Sequence, residues 1–397
     1  MTKLTFNIAT KTVSESDNFL RCLWSQLRSE FSNYGWNYFG SRHENVIELG
    51  LISLGLKEPV ISSYDYKVKG CINNFYFDLM SNDNMLEIKE KLTRCISNAK
   101  KFENFIKHGK FRVPIESYYD LPSFEGSSFN IIQSGNSTNL EINISYYDKT
   151  DVQQEVSIKA SDLNKLLTIV FSLPIFLGNE DTEKIPTNGH NYDNELEIID
   201  NLLSLDTYST KKYNKIIDAA TSFFNASKII YNNRRVLVSH ISNISDNEIT
   251  IYQPAIHKDI IDNYKKVKID IELAVVSLVS GLEVLASMDK EENTICPECN
   301  QRVYSISKKV YNLSRQYGTE DISKSIKSAY NIRSQIVHAG VLLEKKEAMG
   351  RVVNPRMDLS QNGKLIQIVT HLPEQLAEDV RCIYLNYIKE LVVISEK

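Results

Sequence analysis

The residues of this chain best suited to chemistry are an arginine and a histidine in Ser328–Gly340, SAYNIRSQIVHAG. A guanidinium is permanently charged, and its forked donors match phosphate oxygens. An imidazole titrates near neutral pH and can move protons. Together they suit cleavage of a phosphodiester, whose negative charge grows in the transition state. The apolar stripe Ile322, Ile326, Ala329 continues through Arg333 to Ile336, so Arg333 stands where a helix would bury an apolar residue. An inward arginine is costly unless it is paired or faces a polar cavity. A five-residue step turns about 140° around an ideal helix. Arg333 and His338 therefore lie on different lines, and arginine's length or a bend at the helix end must bring their heads together. His338 precedes Gly340, the expected left-handed cap, and so sits in the last turn, where free carbonyls favour a protonated ring. The purely structural alternative is that Arg333 pairs with Glu283 to fix helix register while His338 caps the helix.

Six segments after residue 194 carry a 3.6-residue period: Glu195–Leu205, Thr210–Asn232, Asn263–Met288, Val303–Tyr317, Ile322–Ala339 and Pro373–Ile394. The third is apolar almost all round from Leu273 onward, as a central helix would be, and it carries Glu283 within LVSGLEVLAS. Between the last two, Met357–Leu359 and Lys364–Val369 flank Asn362-Gly363, a strong hairpin signal.

At Arg333-Ser334-Gln335-Ile336-Val337-His338 the sequence resembles the HEPN superfamily of ribonucleases and toxins, and most of all its ApeA-like branch of anti-phage defence proteins. The family signature is an arginine, four to six residues, then a histidine near the end of a helix in an all-α bundle. A polar residue, usually Asn, Asp or His, follows the arginine; here it is Ser334. The likeness spans about residues 268–339 and the final helix. The resemblance implies a metal-independent endoribonuclease acting in anti-phage defence or toxin-mediated growth arrest. Arg333 would hold the scissile phosphate, and His338 would serve as general base on the 2′-hydroxyl or as acid on the leaving 5′-oxygen. Only RNA has that 2′-hydroxyl. Glu283 would orient the arginine, with Tyr330 and Asn331 as candidate substrate contacts. Family members pair their motif helices in a homodimer around one composite cleft. The alternative is a non-catalytic RNA-binding or protein-interaction module on the same scaffold.

Cys296-Pro297-Glu298-Cys299 is a metal-knuckle spacing without a second C-x-x-C. Tetrahedral zinc needs four ligands. A structural zinc would require a second chain's pair at a dimer axis, or distant residues such as Cys382, His371 or His257. The third option is an unmetallated, redox-active pair. Cys22, Cys71, Cys95 and Cys382 are too scattered for a disulfide scaffold and read as reduced packing thiols.

Residues 1–180 are mixed. Asp17–Phe31 and Met85–Ile106 read as amphipathic helices. Tyr66–Leu79, Phe111–Tyr118, Phe129–Gln133, Leu140–Tyr147 and Val152–Ile158 read as strands, and Leu163–Leu173 as a short helix. Gly178–Asn194, GNEDTEKIPTNGHNYDN, reads as a solvated linker. The expected organisation is an α+β domain over 1–180 that senses a trigger or restrains the nuclease, a linker at 181–194, and over 195–397 an all-α HEPN-like bundle with a small β-hairpin insertion.

The 397 residues carry 46 Lys plus Arg against 50 Asp plus Glu, a formal charge of −4. Wholesale coating of polyanions is disfavoured, while a local basic site is allowed. Arg234-Arg235 and the lysines at 89, 91, 100, 101 and 107 are basic runs that more often mark solvated faces. No apolar run reaches the ~20 residues of a membrane span, and Met1–Thr10 lacks signal-peptide character, so a cytoplasmic protein is expected. There is no phosphate loop, nucleophile elbow or dinucleotide fingerprint.

Overall fold

The computed structural model describes residues 2–31, 34–80, 85–118, 120–135, 137–178, 191–204, 211–239, 255–288, 306–339, 356–358, 364–366 and 373–395. The fold is α+β, with long helices and antiparallel sheets. The chain divides into two compact units, Met1–Phe111 with Ile142–Lys159, and Arg112–Glu141 with Ala160–Lys397.

In the first unit the elements are β1 (Thr2–Asn7), α1 (Val13–Glu30), β2 (Tyr34–Asn37), β3 (Ser41–His43), β4 (Val46–Leu54), β5 (Val60–Tyr66), β6 (Ile72–Leu79) and α2 (Met85–Ala99). The antiparallel sheet runs β1-β6-β5-β4-β2, with β3 also on β4. β6 buries Phe75, Phe77 and Leu79 at every second position, as a one-sided strand must. These residues form a core with Phe19, Leu23 and Leu27 of α1 and Leu92 and Ile96 of α2. Helix α1 starts four residues before the expected Asp17 because Thr12 caps it. The Thr12 hydroxyl accepts from the Glu15 amide at 3.0 Å, and the Glu15 carboxylate accepts from the Lys11 amide at 2.7 Å. Helix α2 ends at Ala99 and a short 3-10 turn, Phe102–Asn104, replaces the rest of the expected Met85–Ile106 helix.

Next come β7 (Lys107–Glu116), β8 (Phe124–Glu125), β9 (Phe129–Ser134), β10 (Ser137–Tyr146), α3 (Lys149–Phe171) and β11 (Phe176–Leu177), with a sheet order of β11-β7-β10-β9-β8. The strand expected over Val152–Ile158 is helical, forming one continuous element with the expected Leu163–Leu173 helix. Asp148 makes the difference: its carboxylate accepts from the Asp151 amide at 2.8 Å and starts α3 as an N-cap.

The second unit continues with α4 (Asp193–Ser204), α5 (Lys211–Ser239), α6 (Ala255–Ala286), α7 (Ile306–Tyr317), α8 (Glu320–Ala339), the antiparallel pair β12 (Arg356–Asp358) and β13 (Lys364–Ile366), and α9 (Glu374–Ser395). The expected Asn362-Gly363 turn, and the linker apart from Gly178 and residues 191–194, lie outside the described residues. Helix α6 packs on α5, α7, α8 and α9. It buries Ala274, Val275, Leu278, Val279 and Leu282, but Leu273 is 51% exposed, so its polar side is wider than its composition suggests. Gly281 lets α9 approach α6: a Cβ there would run into the Tyr384 hydroxyl. Arg381 of α9 donates to the Ile169 and Val170 carbonyls at 3.0 and 2.9 Å and to Glu195 at 3.2 Å, tying the end of α3 to α4 and α9.

Candidate functional site

Helix α8 presents Ser323, Ile326 and Ala329 inward, all but fully buried. The next position on that stripe is Arg333, whose side chain is 18% exposed. Its neighbour across the helix packing is Glu283 of α6, 17% exposed. One Nη of Arg333 donates to the Glu283 carboxylate at 2.9 Å. The arginine's Nε is buried and has no hydrogen-bond partner among the described residues. The pair is thus mostly desolvated but only partly satisfied: one buried donor still lacks an acceptor.

Tyr330 lies one turn before Arg333 and hydrogen-bonds the same carboxylate. Burial first, then the Glu283 charge and this bond, raise its phenol above the ordinary tyrosine range, with Arg333 opposing. Glu283 thereby gathers Tyr330 and Arg333 onto one carboxylate. Asn331 is exposed on α8, and Ser334 is half-buried on the same helix.

His338 is placed in the last turn of α8 by its backbone, but its side chain lies outside the described residues, as do Gly340 and the Cys296–Cys299 knuckle. Two of the distant residues that could have completed a zinc site, His257 and His371, lie outside them too. Among the described residues no three metal-capable side chains cluster, and Cys22, Cys71, Cys95 and Cys382 are free thiols.

No protein-family model, curated protein or solved structure matches the chain. The site must therefore be read from its own residues.

Beside the Arg333–Glu283 pair, α7 and α8 bound a cavity of about 260 Å³. Val310 and Ile326 are its buried floor, Tyr311 and Tyr330 are half-buried, and Lys308, Lys327 and Asn331 stand exposed at its rim. Tyr311, Lys308 and Lys327 were not among the residues singled out from the sequence. The available signal was charge: α7 holds Lys308, Lys309 and Arg315 and no acidic residue. Among the described residues no helix is long and apolar enough to cross a membrane.

Proposed function

We propose that the chain is a metal-independent endoribonuclease of HEPN type, acting in the cytoplasm in anti-phage defence or growth arrest. The observation that supports it is Arg333: a mostly buried guanidinium held from one side by Glu283, with a buried donor left over, on the helix that also carries His338. An arginine anchored in this way is preorganised, so little side-chain entropy is lost when it meets an anion. In the proposed reaction His338 takes the proton of a ribose 2′-hydroxyl. That oxygen attacks phosphorus, the bond to the 5′-oxygen breaks, and the leaving oxygen receives a proton. Arg333 stabilises the extra charge on the phosphoryl oxygens. The products are a 2′,3′-cyclic phosphate and a 5′-hydroxyl. A homodimer pairing two α8 helices, a zinc on Cys296 and Cys299, and a sensing or restraining role for residues 1–180 belong to the same proposal.

The 2.9 Å ion pair also supports a second reading, in which Arg333 is satisfied structurally and the domain binds RNA or protein without cutting. One experiment separates the two. Wild type, Arg333→Lys and His338→Ala are each incubated with end-labelled RNA in excess EDTA, and the fragment termini are identified. Cleavage by wild type alone, leaving 5′-hydroxyl ends, is the expected result. RNA binding with no cleavage, or cleavage that persists in His338→Ala, overturns the nuclease in favour of the binding module or an unrelated activity.

A further inference from the structure

The α7–α8 cavity is a second feature of this region, and its lining has a specific chemical composition. Its floor is apolar, supplied by Val310 and Ile326. Two aromatic rings, Tyr311 and Tyr330, line it above that floor. Two ammonium groups, Lys308 and Lys327, stand at the rim with Ser307 and Asn331, and the lining contains no carboxylate. The Lys327 ammonium already lies 5.7 Å from the centre of the Tyr311 ring, and the Arg315 guanidinium 6.0 Å from it. Helix α7 contributes three cations and no anion. The two acidic residues of α8, Glu320 and Asp321, sit in its first turn, where Lys324 meets them at 3.2 and 3.7 Å. They leave the cations at the cavity unneutralised. This is a basic site on a chain whose net charge is −4.

We infer that this groove holds one nucleotide of a single-stranded RNA, its base against the Tyr311 and Tyr330 rings and its phosphate on Lys308 and Lys327. The inference rests on the proposed nuclease reading for its RNA, and adds to it a binding subsite beside Arg333. Aromatic faces accept any base, and lysines accept any backbone phosphate, so the subsite is sequence-tolerant. A cavity of about 260 Å³ admits a single splayed nucleotide and not a duplex, whose bases stay stacked out of reach. A cation ligand is disfavoured because no carboxylate lines the cavity. Tyr330 connects the groove to the phosphate-holding pair: its ring lines the cavity while its hydroxyl bonds Glu283, the partner of Arg333. A strand lying in the groove is thereby led past Arg333.

The test measures the affinity of full-length protein for fluorescently labelled oligo-uridine in EDTA, as a function of salt. The variants are Lys308→Ala/Lys327→Ala, Tyr311→Leu, and a charge-matched control in the other compact unit, Lys89→Ala/Lys107→Ala. The groove variants are expected to weaken binding about tenfold, as loss of a stacked base or two phosphate contacts implies. The double lysine variant should also flatten the log–log salt slope by about 1.4, at roughly 0.7 per phosphate released from a single strand. Thermal midpoints near wild type confirm that the exposed lysine variants are folded. Equal affinity in groove and control variants overturns the inference. So does competition by inorganic polyphosphate as strong as that by oligo-uridine, since polyphosphate has no base to stack. The two proposals fail separately. Groove-dependent binding without cleavage removes the nuclease and keeps the subsite, whereas His338-dependent cleavage that is indifferent to the groove variants removes the subsite and keeps the nuclease.

Discussion

Arg333 and Glu283, fifty positions apart, meet at 2.9 Å between α8 and α6, each side chain less than one-fifth exposed. Neither could lie so far from water alone: the arginine needs an anion, and the carboxylate has found two donors, Arg333 and Tyr330. The pair anchors the guanidinium without saturating it, because Nε keeps an unused hydrogen. The same geometry serves catalysis or architecture, and mutation can apportion it.

Glu283→Ala is expected to lower unfolding stability by about 1–3 kcal/mol, since it strands a mostly buried charge. Glu283→Gln, which keeps an acceptor, should lose less. The double variant Glu283→Leu/Arg333→Met should recover most of the loss, because both charges leave together. Urea denaturation checks this. Equal loss in the Ala and Gln variants would mean that the carboxylate matters through shape alone.

Gly281→Ala is expected to destabilise the helical unit by about 1–3 kcal/mol through overpacking. The new methyl meets the Tyr384 hydroxyl, and the Ala219 carbonyl and the Ser222 Cβ are each 3.2 Å away. Tyr384 is fully buried and donates to the Ala219 carbonyl at 3.4 Å. Adding Tyr384→Phe to Gly281→Ala should restore part of the loss, as it removes the colliding oxygen. A calorimetric melting series on the two single variants and the double decides the point, and strictly additive losses would contradict the contact.

The Arg28–Asp148 pair makes stability depend on acid. Burial raises the Asp148 carboxyl, but the Arg28 hydrogen bond and the Asp151 amide outweigh it and hold the group below its ordinary range. A depressed carboxylate contributes stability above its unfolded pKa, and that contribution disappears as pH falls through the folded value. The wild-type denaturation midpoint should therefore drop on acidification below about pH 4. Asp148→Asn should be less stable at neutral pH and show a shallower acid decline. Asp148→Ala also removes the α3 cap and is expected to lose about 1–2 kcal/mol.

Thiol reactivity should divide the cysteines. Burial, with the Asp151 charge, pushes Cys22 up to about 12, and burial, with Glu30, does the same for Cys95. Both lie in the first unit's core. Thiolate is the reactive form, so neither should alkylate in the native protein at pH 8. Half-exposed Cys71 and Cys382 should label first of these four. Peptide mapping after brief alkylation reads the order, and early labelling of Cys22 or Cys95 would mean that the core opens locally.

Periodicity alone made the helices of residues 193–395 legible, along with the inward stance of Arg333, because these are properties of ten to twenty neighbouring residues. It also marked the antiparallel pair of β12 and β13. Local pattern failed at Val152–Ile158, where a short apolar run is ambiguous and the Asp148 cap tipped it to helix. It also missed β1 through β4, whose pairing partners are mostly distant in sequence, as Thr2 with Leu79. Glu283 could be named as a partner of Arg333, but so could open solvent or a phosphate. Only the packing of α6 against α8 selected the carboxylate. Tyr311 and Tyr330, nineteen positions apart on different helices, likewise share a cavity only because α7 and α8 pack together. The chain's own spacing states which residues turn inward on a helix, whereas what they meet there depends on which helices pack and how closely, and Gly281 and Tyr384 help set that distance.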